Sequence, residues 1–142
     1  MPNIHPLIVH FPVALLTVSL VFELLGVALK RDDLERTAWW LLLAGCVGLG
    51  GAVATGLLAE KTVMIPAEVS SQFETHQEMA FLATTAYAII ILWRISNKTL
   101  LPQGMRSMYL LLTVAALVAI WVGAWFGGEM VYGSGVGVKV TP

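Results

Sequence analysis

The sequence predicts an all-α fold: a four-transmembrane-helix bundle with short loops and an extended, Gly/Val-rich C-terminal tail. Of its 142 residues, 58% are hydrophobic and only 12% are charged, and the mean hydropathy is +0.82. Soluble domains carry about 25% charged residues. The apolar residues fall into four runs, 7–29, 38–59, 79–95 and 108–126. Each run approaches the roughly 17–25 residues that cross a bilayer as a helix.

These runs predict a single integral membrane domain over residues 1–142, since the connections leave no room for a separate soluble domain. Pro6 suits the first turn of a helix, and Pro12 is expected to bend that helix just past His10. The polar stretch 71–78 is expected to begin the third helix early or to form a short interfacial helix. The predicted bounds are about 6–30, 37–60, 76–97 and 105–127, with the tail over 128–142.

Small residues recur at four-residue steps in the second and fourth predicted helices. Such ridges let helix backbones approach closely in lipid, and a glycine ridge can also lie against a flat macrocycle. Packing is the simpler explanation of both ridges. They consist of Ala44, Gly48, Ala52 and Gly56, and of Ala115, Ala119, Gly123 and Gly127.

The charge distribution predicts the orientation. Six basic residues fall in the two loops on one side of the membrane, and only Lys61 and Lys139 fall on the other. By the positive-inside rule, both termini and all three histidines are expected outside the cytoplasm. In a bacterium this corresponds to a multi-pass protein of the inner membrane whose termini are periplasmic. The six residues are Lys30, Arg31, Arg36, Arg94, Lys98 and Arg106.

Glu23 lies more than a helical turn inside the membrane from Lys30. An acid at that depth is costly and usually faces the bundle interior. The favoured interpretation is an ion pair with a base on the cytoplasmic side such as Arg94, and the alternative is proton transfer.

Two histidines mark a weak internal repeat. His10 and His76 each stand at the outer end of an apolar run with small residues beneath, and each run is followed by a return helix with a small-residue ridge. A repeat axis along the membrane normal would bring these two imidazoles to equivalent positions. Imidazoles that face each other from different helices can ligate a six-coordinate b-type haem. His10 and His76 are therefore the candidate axial ligands, and His5 is expected to be a supporting donor.

The C-terminal segment from Gly127 onward is expected to be too glycine-rich for a helix. Its alternating Val and Gly predict an extended strand of chain that lies back over the outer mouth of the bundle. Tyr132 is expected to anchor this cover in the interface.

The motifs IHPLIVHFP at residues 4–12 and GGEMVY at residues 127–132, the latter followed by GVGV at 135–138, resemble a bacterial family of four-helix membrane proteins of unknown function. Thr55-Gly56 and His76 also fit the pattern of that family. Relatives commonly occur fused or adjacent to cytochrome c or Rieske-type domains, so the resemblance implies a redox setting and partners of those classes. The sequence departs from the family at Ser134, where a histidine usually precedes GVGV, and a ligand scheme built on that histidine does not apply here.

Three functional interpretations follow. The first is a small cytochrome-like subunit for electron transfer that binds haem b near the periplasmic face through His10 and His76, with His5, Gly56 and Gly127 lining the site. The second is a Zn or Cu site in which these histidines are joined by nearby glutamates or methionines. The third is a structural subunit without a cofactor, and a catalytic activity is not assigned.

Composition narrows these choices further. The net charge of −1 and the lack of a basic cluster argue against a nucleic-acid partner. Cys46 is the only cysteine, so haem cannot be attached through a Cys-x-x-Cys-His motif. The bilayer is the one partner that composition requires, and self-association is left open.

The orientation can be tested with single cysteines in a Cys46→Ser background. Cysteines at Lys61 and Lys139 are expected to react with an impermeant maleimide on intact cells, and cysteines at Asp33 and Gln103 only after permeabilisation. The opposite pattern would place both termini in the cytoplasm.

Overall fold

The computed structural model describes residues 4–97 and 104–137, and the described chain is helical almost throughout. Its long helices give four segments that are long and apolar enough to cross a membrane, within His5–Leu29, Asp32–Glu60, Ala67–Ser96 and Arg106–Gly133. The predicted four-helix membrane fold is thereby confirmed. The α helices are α1 (His5–Ile8), α2 (His10–Leu29), α3 (Asp32–Glu60), α4 (Ser70–Ser96) and α5 (Arg106–Gly128).

Two helices begin before their predicted bounds, residues 37 and 76. α3 begins at Asp32 because the turn after α2 is very tight: Lys30 takes the left-handed conformation, with φ 53°, and the Arg31 N–H donates to the Gly26 carbonyl at 2.9 Å. α4 begins at Ser70, directly after a 3₁₀ turn over Ala67–Val69, so the expected early start of this helix is confirmed.

The first membrane span is interrupted at Val9, which separates α1 from α2. Pro12 has no N–H to donate to the Ile8 carbonyl, so the helical ladder loses a bond at this point. The interruption therefore lies just before His10, whereas the sequence predicts a bend just past it.

The tail differs from the extended segment that we expected. α5 runs on to Gly128 and continues as a π-helical turn over Glu129–Gly133. The chain then turns back, with Gly135 at φ 67° and the Val136 N–H donating to the Met130 carbonyl at 2.9 Å. This fold-back still brings Met130 and Val136 against the interior, as a cover would. Residues 138–142 lie outside the described residues.

The helices pair into two hairpins. The first hairpin consists of α1, α2 and α3, and the second of α4 and α5, and packing is extensive within each. Contacts between the hairpins are sparse and run from α2 to α5 and from α3 to α4. We refer to the end that holds His5 and His76 as the histidine end, and to the end that holds Glu23 and Arg94 as the arginine end.

The buried positions of the two hairpins repeat with an offset of 71 residues. Most of the buried positions of α2 have a buried counterpart on α4, and most of those of α3 have one on α5. This correspondence indicates a pseudo-two-fold axis that runs along the bundle between the hairpins. The pairs include Pro12 with Ala83, Leu16 with Tyr87, Ser19 with Ile90, Glu23 with Arg94, Ala38 with Tyr109, Leu42 with Thr113, Gly45 with Ala116 and Leu49 with Ile120.

The repeat that we inferred from the sequence is therefore present, but its register is different. An offset of 71 aligns His5 with His76, whereas His10 aligns with Phe81, which is exposed like His10 itself. The equivalence of His10 and His76 is replaced by that of His5 and His76.

Arg94 of α4 contacts the other three long helices at the arginine end. Its buried guanidinium forms an ion pair with Glu23 of α2, donates to the backbone carbonyl of Glu35 in α3 at 3.1 Å and donates to the Tyr109 hydroxyl in α5 at 3.2 Å. The guanidinium also lies over the Trp39 ring, 5.4 Å from its centre. The predicted ion pair between Glu23 and Arg94 is thus confirmed.

The small-residue ridges pack within hairpins at their inner positions, whereas Ala44 and Ala115 at their starts are exposed. A Cβ added at Gly48 would lie 3.2 Å from Pro12, and one added at Gly123 would lie 3.3 Å from the Met79 Cβ. A closer contact of α2 with α3 lies beside the ridge, at Gly45.

Gly45→Leu is expected to destabilise the first hairpin. A Cβ at this position would lie only 2.6 Å from the Leu16 side chain, and overpacking of this kind costs about 1–3 kcal/mol. The control is Gly50→Leu on the same helix, where nothing lies within 4 Å of an added Cβ. Thermal unfolding in detergent should show a lower midpoint for Gly45→Leu alone, and equal midpoints would contradict this packing.

Candidate functional site

A cavity of about 790 Å³ occupies the histidine end of the bundle and is lined by both hairpins. Its walls are mainly apolar, and the tail contributes Met130 and Val136 to them. All three histidines, His5, His10 and His76, line this cavity. Many lining positions are related by the offset of 71, so the cavity straddles the pseudo-two-fold axis.

His5 and His76 face each other across that axis. Their ring centres lie 6.0 Å apart, and their planes are inclined by 81°. His5 is supplied by α1 of the first hairpin and His76 by the first turns of α4 in the second hairpin. Both rings are half-buried.

The His76 ring is held by the return helix of its own hairpin. Its Nδ1 lies 2.7 Å from the carbonyl oxygen of Gly123. Because a carbonyl can only accept, Nδ1 must carry the proton and donate it. In the neutral ring the lone pair is then on Nε2.

The His5 ring is held in a corresponding way by α3. Its Nδ1 lies 3.2 Å from the Thr55 hydroxyl oxygen. The single hydroxyl proton of Thr55 points back to helix carbonyls, with Gly51 O at 2.8 Å and Ala52 O at 3.1 Å. We assign the hydroxyl as the acceptor from His5, so that Nδ1–H is the donor and the lone pair lies on Nε2.

Each imidazole lies directly on a glycine of the return helix. A Cβ at Gly56 would stand 3.1 Å from Cε1 of His5, and a Cβ at Gly127 would stand 3.1 Å from both Cε1 and Nδ1 of His76. Both glycines follow their histidine by 51 residues, as the repeat requires. Gly56 and Gly127, predicted as site residues, thus contact the histidine rings.

His10 is the predicted ligand that the structure does not bring to this pair. It lines the cavity but is exposed, and the ring that meets His76 is that of His5. Five residues correspond to about 1.4 helical turns, so side chains at positions 5 and 10 point roughly 140° apart. The sequence feature that distinguishes His5 from His10 is the interval of 51 residues to a glycine, which His5 shares with His76.

The arrangement offers two nitrogen ligands for one metal. If a metal lies about 2 Å from each Nε2, two imidazoles on opposite sides of it have ring centres roughly 6 Å apart. Among residues 4–97 and 104–137, no group of three or more His, Cys, Asp or Glu side chains is placed to hold a metal ion. The protein side of such a site is thus a pair of imidazoles.

Gly127→Ala is expected to displace the His76 ring from the Gly123 carbonyl, because the new methyl group would lie 3.1 Å from Cε1 and Nδ1 of the imidazole, closer than an ordinary van der Waals contact. Nitrogen-15 NMR of histidine-labelled protein in detergent should show loss of the hydrogen-bonded Nδ1–H tautomer of His76. Gly128→Ala is the control, since nothing lies within 4 Å of a Cβ at that position. An unchanged His76 signal in Gly127→Ala would rule out this support.

Comparison of the chain with curated proteins gave no match, and comparison with solved structures gave none either. One family matches, described as "Predicted membrane protein (DUF2231)", over residues 1–140. The match includes the segments that carry His5, Gly56, His76 and Gly127. The chain therefore belongs to this family of predicted membrane proteins.

Proposed function

We propose that the protein is a small membrane cytochrome that binds a b-type haem at the histidine end and takes part in electron transfer. His5 and His76 are the proposed axial ligands. The observation that carries this proposal is the pair of facing imidazoles, 6.0 Å apart, each with Nδ1 hydrogen-bonded to the return helix of its own hairpin.

The tautomers favour metal ligation. Histidine ligands of metals almost always donate the second ring N–H to a carbonyl, carboxylate or similar group, which fixes the ring and raises the basicity of the ligating nitrogen. The Gly123 carbonyl does this for His76, and the Thr55 hydroxyl does it for His5. In both cases Nε2 is the nitrogen suited to a metal.

The cavity favours a flat apolar ligand. Its volume of about 790 Å³ falls within the roughly 300–1,000 Å³ of small-molecule and cofactor sites. It lies between two hairpins that touch only sparsely, and this arrangement leaves a slot on the pseudo-two-fold axis. A mainly apolar wall also keeps water from the metal, which is one of the means by which proteins set a haem potential.

A pair of imidazoles suits haem better than zinc. Zinc sites use three or four protein ligands, whereas the porphyrin itself supplies the four equatorial nitrogens of haem iron. When bound, haem provides one-electron redox chemistry, and the protein provides ligation, orientation and a dry surrounding. Copper bound by two imidazoles is the alternative that elemental analysis must distinguish.

The membrane setting of this function follows from charge. We place the site at the periplasmic face of the inner membrane, because the basic residues Lys30, Arg31, Arg94 and Arg106 lie toward the opposite end. The redox partner would then be a periplasmic or membrane-anchored electron-transfer protein, of the cytochrome c or Rieske class that the family resemblance implies.

The test is reconstitution of the purified protein with hemin in detergent. The parent is expected to give a sharp low-spin spectrum on reduction and to contain about one iron per chain. His5→Ala and His76→Ala should each abolish that spectrum, because one imidazole leaves iron five-coordinate or lets the haem dissociate.

His10→Ala is the matched control, since this histidine lines the same cavity without meeting His76. It is expected to keep the low-spin bands. Loss of the bands in His10→Ala with retention in His5→Ala would reassign the ligand to His10. A colourless parent that binds copper, or no metal, would refute the haem proposal.

A further inference from the structure

The pseudo-two-fold axis has an unusual consequence at the arginine end. A residue on such an axis meets its own repeat counterpart, as His5 meets His76 at the other end. At the arginine end, Glu23 meets Arg94, and these positions are also 71 residues apart. The ion pair therefore joins two symmetry-equivalent positions that carry opposite charges.

A second pair obeys the same relation. Glu35 of α3 and Arg106 of α5 are again 71 residues apart, and their side chains approach to 3.8 Å. In both pairs the first hairpin supplies the acid and the second hairpin supplies the base. Arg106 is partly exposed, so this pair extends the charged contact toward the surface.

We propose that these two pairs form a pairing code between the hairpins. The face that each hairpin turns to the axis is a recognition surface, and its partner is the unlike hairpin. Two copies of the first hairpin would bring Glu23 against Glu23 and Glu35 against Glu35, and two copies of the second would bring arginine against arginine. Complementary charge selects the unlike hairpin, and repulsion rejects the like one.

Burial makes this selection strong. The side chains of Glu23 and Arg94 are each 1% exposed, and a charge inside a membrane protein requires a partner. The apolar residues along the axis do not distinguish like from unlike hairpins, because they carry no charge. Discrimination between like and unlike hairpins therefore depends on the charged pairs.

The code predicts that the charges can be exchanged. Arg94 donates to the carbonyl of residue 35, and the equivalent acceptor for an arginine at position 23 is the carbonyl of residue 106. An arginine at position 23 would lack the hydrogen bond that Arg94 donates to the Tyr109 hydroxyl, because the residue equivalent to Tyr109 is Ala38. Rescue by an exchange of charges should thus be substantial but incomplete.

The first experiment compares E23R, R94E and the exchange variant E23R/R94E in the full chain. Each single variant is expected to lose the monodisperse detergent-solubilised protein by about tenfold or more, and the exchange variant should recover most of it. The control is the exposed pair Arg31–Asp33, for which R31D, D33R and their combination should all behave like the parent. Parent-like single variants, or an exchange variant no better than either, would overturn the proposal.

The second experiment separates a pairing code from an ordinary ion pair. E23R and R94E chains with different tags are co-expressed, so that each hairpin finds its complement only in the other chain. The code predicts a swapped heterodimer that carries both tags at equal amounts, while neither chain alone gives a folded product. Failure to co-purify alongside rescue by E23R/R94E would show that chain connectivity, and not charge, dictates the pairing.

Discussion

The buried guanidinium of Arg94 is the constraint on which the arrangement of the helices depends. A charge at this depth is costly unless every donor is satisfied, and Arg94 finds its partners on α2, α3 and α5. Loss of one partner of a buried ion pair costs about 3–5 kcal/mol, which exceeds the contribution of any single apolar contact on the axis. The four helices must therefore meet at this end in one arrangement.

At the histidine end, by contrast, the supporting contacts lie within each hairpin and not between the hairpins. Each imidazole is fixed inside its own hairpin, by Gly123 and Gly127 in one case and by Thr55 and Gly56 in the other. Few contacts bind the hairpins to each other, and a cavity lies between them. The orientation of each imidazole is thus set within its own hairpin, whereas the distance between the two imidazoles depends on how the hairpins are held together elsewhere.

Most of the fold could be predicted from the apolar runs of the sequence and from the positions of its charged residues. Four apolar runs predicted the four spans, and an acid with a base at similar depth predicted the ion pair of Glu23 with Arg94. The first part of the tail, Glu129–Gly133, is helical although its glycine content predicts an extended segment, because the hydrogen bonds of a π-helical turn continue α5 past Gly128. Local propensity yielded there to continuation of an existing helix.

The partner of His76 could also have been predicted, but only from spacing. His10 and His5 both precede an apolar run, and composition around them does not separate them. What does separate them is the helical phase and the glycine 51 residues on, because an imidazole can lie flat on a return helix only where that helix lacks a side chain. This requirement arises from contact between the two helices of a hairpin, so the pattern of residues within one helix does not reveal it.

The two ends of the axis differ in how closely the two hairpins match each other. At the histidine end, both repeats carry histidine over glycine, and the haem that we propose would be held by two identical ligands. At the arginine end, identical residues would repel, so the repeats carry opposite charges. The two hairpins are alike where we propose a shared ligand, and they carry opposite charges where the ion pairs join them. The far-end ion pairs then fix the relation of the hairpins, and with it the gap between His5 and His76.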